Sequence, residues 1–471
     1  MGPRLSSGIV LAVPPVERAI EAELARIPAG SEQVAAVREL GESLRERAVL
    51  DDEAPRRRSE RLPAAAGTVR KLCPDAADEP DRLLESVFTG AAALVRRAAT
   101  NPEDAAELAA IVDWLTETDL PHTPGRPGDR SGPDPSTSYQ AKPAPSVSPD
   151  QLLACLQAHD RAGTGVSAVS DLRVLSGGFS KEMLAATVEY PAGSREIVIR
   201  KVARGRTAET LGGEFAALSF AWEQGVPVPE PLWLDETALG TPAFATGLSS
   251  GRCLGDVWGP SEPVRPETAL AIAGTLASLH ALDPAGLADT PLAPMRAQSE
   301  ILAAVDERRA VLDTVADAAQ PYAALFALVL AWLREHAPGD VARPVLVHGD
   351  FGLHNILIDH GAPSAVLDWE RAHVGDPAED LAYVRPSIEA ILPWDDFLRA
   401  YQAAGGPRPD PRRLAYYTVW HDAWRGISAY RMRTKFLSDP ARLSDAMAGL
   451  LMSPRFLLRA ARAAFGQGAA C

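Results

Sequence analysis

The chain is poor in cysteine and has no long apolar run. Its 471 residues include four cysteines, which lie far apart at Cys73, Cys155, Cys253 and Cys471. This separation favours neither a disulfide framework nor a zinc site built from paired cysteines. No apolar stretch reaches the roughly 18 to 20 residues that a membrane-spanning helix needs. We therefore expect a cytoplasmic protein with no membrane partner.

Positive charge is also scarce. Lys and Arg number 47 against 62 Asp and Glu, which gives a formal net charge of −15. Binding to a nucleic-acid backbone needs clustered cations, and no basic run of sufficient length is present, so no nucleic-acid partner is expected. The hydrophobic content of 46% is that of an ordinary globular protein. At roughly 150 residues per domain, the length suggests about three folded units.

Residues 1–119 have apolar residues at helical spacing, which predicts an all-α domain. Asn101-Pro102-Glu103-Asp104 is typical of a helix start. This domain contains no catalytic constellation. Its arginines, including Arg56 to Arg58, form either a solvated surface or a site for a protein partner or self-association. Residues 120–149 are rich in Pro, Gly and Ser and cannot bury enough surface to offset their ordering entropy, which predicts a linker.

Residues 150–471 begin with β-rich segments and continue with helical ones. Three short strands are predicted before a helix over residues 211–223, and two extended segments follow it. From about residue 266 helices dominate, with one β-rich interruption. The pattern predicts the α+β class, with a small β-rich lobe at about 165–250, a large helical lobe at about 251–471 and a cleft between them.

The densest polar cluster is His348-Gly349-Asp350, followed by Asn355 and by Asp368 at a strand end. Phosphoryl transfer from ATP needs a carboxylate that takes the hydroxyl proton and oxygen ligands that hold Mg²⁺ on the phosphates. Asp350 suits the first role, and Asn355 and Asp368 suit the second. Each of the three could singly cap a turn or strand end, but their joint spacing favours a catalytic loop.

These residues resemble the signature of the kinase-like aminoglycoside and choline phosphotransferase superfamily. V-H-G-D-x-x-x-x-N extends from Val347 to Asn355, and L-D-W-E-x-x-x-x-G-D-P-x-x-D-L extends from Leu367 to Leu381. The resemblance covers about residues 165–460 and is strongest to the phosphotransferase-like domains associated with acyl-CoA dehydrogenases. It implies a protein-kinase-like two-lobed fold, ATP and Mg²⁺ as cofactors, and a small-molecule kinase with an alcohol group as acceptor.

The resemblance also implies nucleotide-binding residues. The turn over the nucleotide contains Gly177, Gly178 and Ser180. Arg200 on the third strand supplies the cation for the phosphates, and Glu214 pairs with it. Neighbouring strand side chains point to opposite faces, so only one of Arg200 and Lys201 enters the cleft, and Lys201 stays an alternative. For Glu214 the alternative is an exposed position. Backbone groups of residues 245–248 are expected at the adenine edge.

Other polar residues of the same region have structural alternatives. Asp376 and Asp380 are expected to anchor a turn and to cap the helix that begins near Asp380, and His348 is expected to organise the loop. His354 and His373 are left open between a substrate contact and a surface position.

A second motif points to different chemistry. Residues 247–251 match G-x-S-x-G, the nucleophile elbow of α/β-hydrolases, which requires a helix directly after the serine. The residues that follow do not form a convincing helix, so a hydrolase is not favoured.

Two classes of function compete: a phosphotransferase and a non-catalytic pseudokinase or scaffold. The presence of Asp350, Asn355 and Asp368 favours the catalyst. The resemblance implies a small-molecule hydroxyl substrate on an acyl or similar metabolite, such as a hydroxyacyl thioester. The alternative acceptor is an aminoglycoside or macrolide antibiotic, with which the net charge is compatible, although overall charge does not locate carboxylates in a cleft.

Overall fold

The computed structural model describes residues 13–25, 32–72, 80–120, 145–160, 163, 165–175, 181–202, 211–292, 294–316, 322–438 and 443–466. The chain divides into two compact units. The first unit contains residues 1–139, 298–339 and 415–471, and the second contains residues 140–297 and 340–414.

Helices occur in both units. In chain order they are α1 (Val13–Leu24), α2 (Glu32–Leu72), α3 (Pro80–Thr100), α4 (Pro102–Asp119), α5 (Pro149–His159), α6 (Leu211–Glu223), α7 (Pro266–His280), α8 (Gln298–Val315), α9 (Ala323–Glu335), α10 (Ala378–Glu389), α11 (Trp394–Ala403), α12 (Pro411–Ser438), α13 (Leu443–Ala446) and α14 (Ser453–Phe465). A π-helical turn, Met447–Met452, lies between the last two. Within the described ranges, no helix is long and apolar enough to cross a membrane.

The strands belong to the second unit. They are β1 (Ala168–Val174), β2 (Lys181–Tyr190), β3 (Gly193–Val202), β4 (Pro231–Asp235), β5 (Ala243–Gly247), β6 (Arg252–Cys253), β7 (Gly255–Asp256), β8 (Gly259–Pro260), β9 (Val345–Val347), β10 (Ile356–Asp359), β11 (Ala362–Val366) and β12 (His373–Gly375).

The first unit is helical, as the sequence of its N-terminal part predicts. α4 starts where expected, because the Asn101 side chain accepts a hydrogen bond from the Glu103 N–H at 3.0 Å. Apolar residues of α1 and α2 pack with Phe436 of α12 and with Leu443, Met447 and Leu450 near the C-terminus. The core therefore joins residues that are about 400 positions apart in the chain.

A buried ion network lies in the same unit. The Arg47 guanidinium contacts the Asp51 carboxylate at 2.8 Å and donates to the Tyr322 hydroxyl at 2.7 Å. Arg433 lies 3.4 Å from the second oxygen of Asp51. All of these side chains are at least nine-tenths buried. Because buried charges are costly unless paired, each member depends on the others.

The predicted domain limits at 119 and 150 do not follow this division. The N-terminal helices share a unit with residues 298–339 and 415–471. The Pro-rich segment 121–144 lies outside the described residues. After it, Ser146 N–H donates to Glu182 at 2.8 Å, and Val147 is buried in the core of the second unit. It stays a prediction that the predicted domains fold independently, with limits at 1–119, 120–149 and 150–471.

The second unit contains a five-stranded antiparallel sheet in the order β1-β2-β3-β5-β4. One face is apolar, with Leu184 and Ile199 paired across β2 and β3, and it packs against Leu152 and Leu156 of α5. Lys181, Met183 and Arg200 lie on the opposite face, since strand side chains alternate and Met183 is paired with Arg200. The sheet thus separates an apolar layer from a charged one.

Shorter strand pairs follow in the same unit. β9 pairs with β12, and β10 lies between β11 and β6. With the antiparallel sheet and the surrounding helices they confirm the predicted α+β class, and the predicted helix 211–223 is present as α6. The turns that leave β9 and β11 carry the polar residues of the predicted catalytic loop.

The ion network of the first unit predicts a large effect for one acid. Asp51→Ala should lower the free energy of unfolding by about 3–5 kcal/mol, because Arg47 and Arg433 are left buried without their shared carboxylate. Glu60→Ala on the same helix should change it by less than about 0.5 kcal/mol, because that exposed acid lies 3.9 Å from Arg56 at the surface. Urea unfolding monitored by circular dichroism measures both. Equal effects would contradict the role of the network.

A truncation tests the predicted domain limits. The linker predicts that residues from about 150 to 471 fold alone. The network argues for the opposite result, because the truncated chain loses Asp51 and keeps Arg433 and Tyr322. A soluble truncated chain with a cooperative unfolding transition would support the limits, and aggregation would support the network.

Candidate active site

The loop after β9 places Asp350 by means of a glycine. Gly349 has φ +77°, in the left-handed region, and a Cβ there would lie 2.7 Å from the Arg371 carbonyl oxygen. Only glycine satisfies both constraints without strain. The G in the H-G-D motif is therefore a structural requirement of the loop.

Asn355 holds Asp350 within this loop. Its side-chain N–H group donates to the Asp350 carbonyl oxygen and to one carboxylate oxygen, both at 3.0 Å. Asn355 closes the short 3₁₀ turn Leu353–Asn355, and its own backbone N–H donates to Gly352 at 2.9 Å. The five-residue spacing thus brings the acid and the amide together, as the sequence predicts. Both hydrogen bonds to Asp350 use the amide nitrogen of Asn355 and not its amide oxygen.

Asp368 lies next to this pair. The Leu367 N–H donates to the Asn355 carbonyl at 2.7 Å, which joins the residue before Asp368 to the predicted catalytic loop. Asp368 itself has φ +64°. A non-glycine residue in this region carries conformational strain, and such strain is concentrated at functional sites.

Arg200, and not Lys201, faces these acids. Its Nη2 donates to the Asp368 carboxylate at 2.6 Å and to Glu370 at 3.2 Å. Lys201 lies on the apolar face of the sheet, where its ammonium group donates to the Ser146 hydroxyl at 3.2 Å. Neighbouring side chains of a strand point to opposite faces, so Arg200 and Lys201 must lie on different faces of the sheet. The structure places Arg200 on the charged face and Lys201 on the apolar face.

Glu214 on α6 is buried, and it contacts Arg200. The Arg200 Nε and a Glu214 carboxylate oxygen are 2.8 Å apart. Burial raises the pKa of Glu214 to about 7, although the positive charges of Arg200 and Lys181 oppose the increase. An exposed position for Glu214 is thereby excluded.

Two further charged residues, Lys181 and Glu370, belong to the charged cluster around Arg200. The sequence analysis did not predict a role for either. The Lys181 ammonium group lies 2.5 Å from Glu214 and 3.0 Å from Glu370. Glu370 stands in the L-D-W-E motif, directly after Trp369. Lys181 could have been identified from the β2–β3 hairpin, because the pairing of these two strands places Lys181 on the same face of the sheet as Arg200.

Asp380 fixes the backbone of the loop. Its two carboxylate oxygens accept the N–H groups of His348 and Gly349, each at 2.8 Å. Burial alone would raise the pKa of Asp380, but hydrogen bonding and the charge of His280, together with His348, hold it below its usual range. The helix expected near Asp380 begins at Ala378, where Asp376 accepts the first free N–H at 2.9 Å. Asp376 thus caps the helix, and Asp380 anchors the loop.

The histidines have different environments. His348 is fully buried, donates from Nε2 to the Leu367 carbonyl at 2.8 Å and accepts the Asp350 N–H at 3.2 Å, which agrees with its predicted role in the loop. His373 is buried and paired with Glu379 at 3.1 Å, so it is not a surface residue. His354 remains partly exposed, with Nε2 at 3.7 Å from Asp350.

Three predictions concern the edge of the sheet. Gly177, Gly178 and Ser180 lie outside the described residues. The Gly247 and Leu248 N–H groups donate to the carbonyls of Glu230 and Glu196, so these two donors are already engaged where the adenine edge was expected. β6 begins at Arg252, directly after the G-x-S-x-G match. Since a helix is required there, the nucleophile elbow is excluded.

Comparison with known proteins identifies a family match. The model of the phosphotransferase enzyme family APH matches residues 171–417, just over half of the chain. Acyl-CoA dehydrogenase family member 11 of Gallus gallus is 30% identical over 201 residues, which cover 41% of this chain and 25% of that protein. Family member 10 of Mus musculus is 32% identical over 200 residues, 40% of this chain and 18% of that protein. The match thus spans a quarter or less of these relatives.

Solved structures with a similar fold include two phosphotransferases. A putative aminoglycoside phosphotransferase from Ralstonia eutropha has 18% identity and a TM-score of 0.47, over 65% of this chain and 97% of that chain. Macrolide 2′-phosphotransferase MphH from Brachybacterium faecium has 24% identity and a TM-score of 0.45, over 63% and 97%.

The anchoring of the loop by Asp380 predicts a stability effect. Asp380→Asn should lower the free energy of unfolding by about 2–4 kcal/mol, because an amide cannot accept both buried N–H groups. Glu389→Gln on the same helix is the control, since that acid is exposed and paired with Arg385 at the surface. Because the folded pKa of Asp380 is lowered, its stabilisation is present above roughly pH 4 and is lost as the pH falls further. Urea unfolding at several pH values should show this loss in the parent chain and not in Asp380→Asn.

Proposed function

The chain belongs to the phosphotransferase enzyme family, and from this premise we propose that it transfers the γ-phosphoryl group of ATP to a hydroxyl group of a small molecule. The observation that carries the proposal is a single cluster in the second unit. It combines an acid held by an amide, a neighbouring strained acid, and a buried cation paired with a helix acid. These are the parts that phosphoryl transfer uses.

Asp350 is proposed as the catalytic base. Its carboxylate is partly exposed, with a side-chain accessibility of 19%. Asn355 fixes one oxygen by a hydrogen bond, so the carboxylate is held in position before a substrate arrives. A carboxylate so placed accepts the proton of an acceptor hydroxyl as that hydroxyl attacks phosphorus.

Asn355 and Asp368 are proposed to hold Mg²⁺. The donor set fits this ion, because an amide oxygen and a carboxylate are the hard oxygen ligands that it prefers. The ion would neutralise charge on the nucleotide phosphates. The residues Arg200 and Glu214 are proposed to fix the nucleotide phosphates, with Glu214 orienting the guanidinium.

The charge of the cluster supports a requirement for the metal. Four carboxylates, those of Asp350, Glu214, Asp368 and Glu370, lie near the three cations Lys181, Arg200 and Arg371. With every group ionised the carboxylates outnumber the cations by one, so the cluster offers a polyphosphate no net attraction. A divalent cation reverses the sign.

A hydroxyacyl thioester is proposed as the acceptor. Support comes from the similarity to proteins named as acyl-CoA dehydrogenase family members over about two fifths of this chain. Aminoglycoside and macrolide antibiotics are the alternative acceptors. A non-catalytic scaffold is opposed by the retention of Asp350, Asn355, Asp368, Arg200 and Glu214 in one cluster.

Substitution of the two acids separates their roles. Asp350→Asn should lower turnover by about 10²-fold or more and leave nucleotide affinity nearly unchanged, as for the loss of a general base. Asp368→Ala should abolish the metal-dependent part of ATP binding. Calorimetric titration with ATP, with and without Mg²⁺, and steady-state ATP consumption measure the two effects.

Asp359→Asn is the matched control, because this acid lies at the end of β10 and contacts Ser250 at 2.8 Å, outside the cluster. It should change neither quantity. If Asp350→Asn and Asp368→Ala gave the same binding defect with normal turnover at saturation, the assignment of roles would be wrong.

The acceptor is tested by a parallel screen. ATP consumption is measured with hydroxyacyl-CoAs, aminoglycosides, macrolides and choline-like alcohols side by side, with Asp350→Asn as the blank. We expect turnover with a hydroxyacyl-CoA. Turnover confined to the antibiotics would overturn the hydroxyacyl assignment and leave the phosphotransfer chemistry in place. Metal-independent ATP binding without any consumption would instead indicate a scaffold.

A further inference from the structure

Lys181 is a buried lysine at the first position of β2. Only 8% of its side chain is exposed, and it shares the charged face of the sheet with Arg200. Lysine is almost never this buried unless it is paired. Its position therefore requires a partner that compensates the charge, and the cluster supplies two.

The contacts of Lys181 repeat those of Arg200. Glu214 receives Arg200 on one carboxylate oxygen at 2.8 Å and Lys181 on the other at 2.5 Å. The same Glu370 oxygen lies 3.0 Å from Lys181 and 3.2 Å from Arg200. Both cations thus share one fully buried acid and one partly exposed acid, and Arg200 has Asp368 as a third partner at 2.6 Å.

The two acids differ in their freedom to move. The Glu214 side chain is 2% exposed and lies on the helix α6, whereas the Glu370 side chain is 34% exposed. Glu370 borders solvent and has space into which it can move, whereas Glu214 is enclosed. The lysine can therefore exchange Glu370 for another anion and keep Glu214.

On the premise of the nucleotide site proposed above, we propose that Lys181 is a second phosphate-binding residue, which contacts the ATP phosphates beside Arg200. An ammonium group is a point charge with three donors, and it binds phosphate oxygens without the planar geometry that a guanidinium imposes. Glu214 positions both cations, and Glu370 occupies their phosphate-facing side in the nucleotide-free protein.

The test compares two buried lysines on opposite faces of the sheet. Lys181→Met should weaken binding of MgATP by about 10- to 100-fold, the scale of a lost charge-assisted hydrogen bond. Lys201→Met removes the same charge from the apolar face and should change the affinity by less than about 3-fold. Adenosine lacks phosphates, and Lys181→Met should bind it with nearly the affinity of the parent chain. Calorimetric titration of the full chain measures all three.

The outcomes separate this inference from the proposed function. If the parent chain did not bind MgATP, the proposed function would fail. If it bound MgATP and Lys181→Met bound it within about 3-fold, only the role of Lys181 would be wrong. An equal loss of adenosine binding, or an equal loss in Lys201→Met, would show a merely structural lysine. If Lys181→Met did not fold, Lys181→Gln, which keeps a polar donor and removes the charge, would carry the same expectation.

Discussion

One guanidinium joins the separate parts of the charged cluster. Arg200 contacts Glu214 on a helix, and it also contacts Asp368 and Glu370 after β11. It is nearly buried, with a side-chain exposure of 12%. Burial lowers the pKa of an arginine, but the three carboxylates more than compensate, and the pKa of Arg200 is raised overall. Arg200 is therefore a constant counter-charge for all three acids, and Lys181 shares two of them, Glu214 and Glu370.

The geometry of the proposed catalytic loop could be predicted from the sequence because it is local. Gly349, Asp350 and Asn355 lie within seven positions, and the turn between them is fixed by hydrogen bonds among these residues and their neighbours. The choice between Arg200 and Lys201 could not be made in the same way. Both faces of β3 carry apolar residues, since Ile197, Val198 and Ile199 are consecutive, so the pattern does not show which face the helix α5 covers.

Long-range packing explains what the sequence could not predict. The helices before residue 119 follow from their periodicity, but their partners are Tyr322 and Arg433, more than 200 positions away. No local pattern encodes such a pairing. A Pro-rich segment indicates where regular secondary structure ends. It does not indicate which N-terminal helices a helix from the C-terminal part of the chain packs against.

Unusual backbone conformations and clustered charges occur together in the site. Asp368 adopts a left-handed backbone, and Gly349 occupies a position that a side chain would block. Asp380 fixes the Gly349 side of the site, because its carboxylate accepts two consecutive N–H groups of the loop and is itself contacted by His280 at 3.1 Å. Hydrogen bonds within the chain therefore hold the backbone that precedes Asp350. On the other side of the site, Arg200 contacts both Asp368 and Glu370, so the two carboxylates can lie close together because they share one cation.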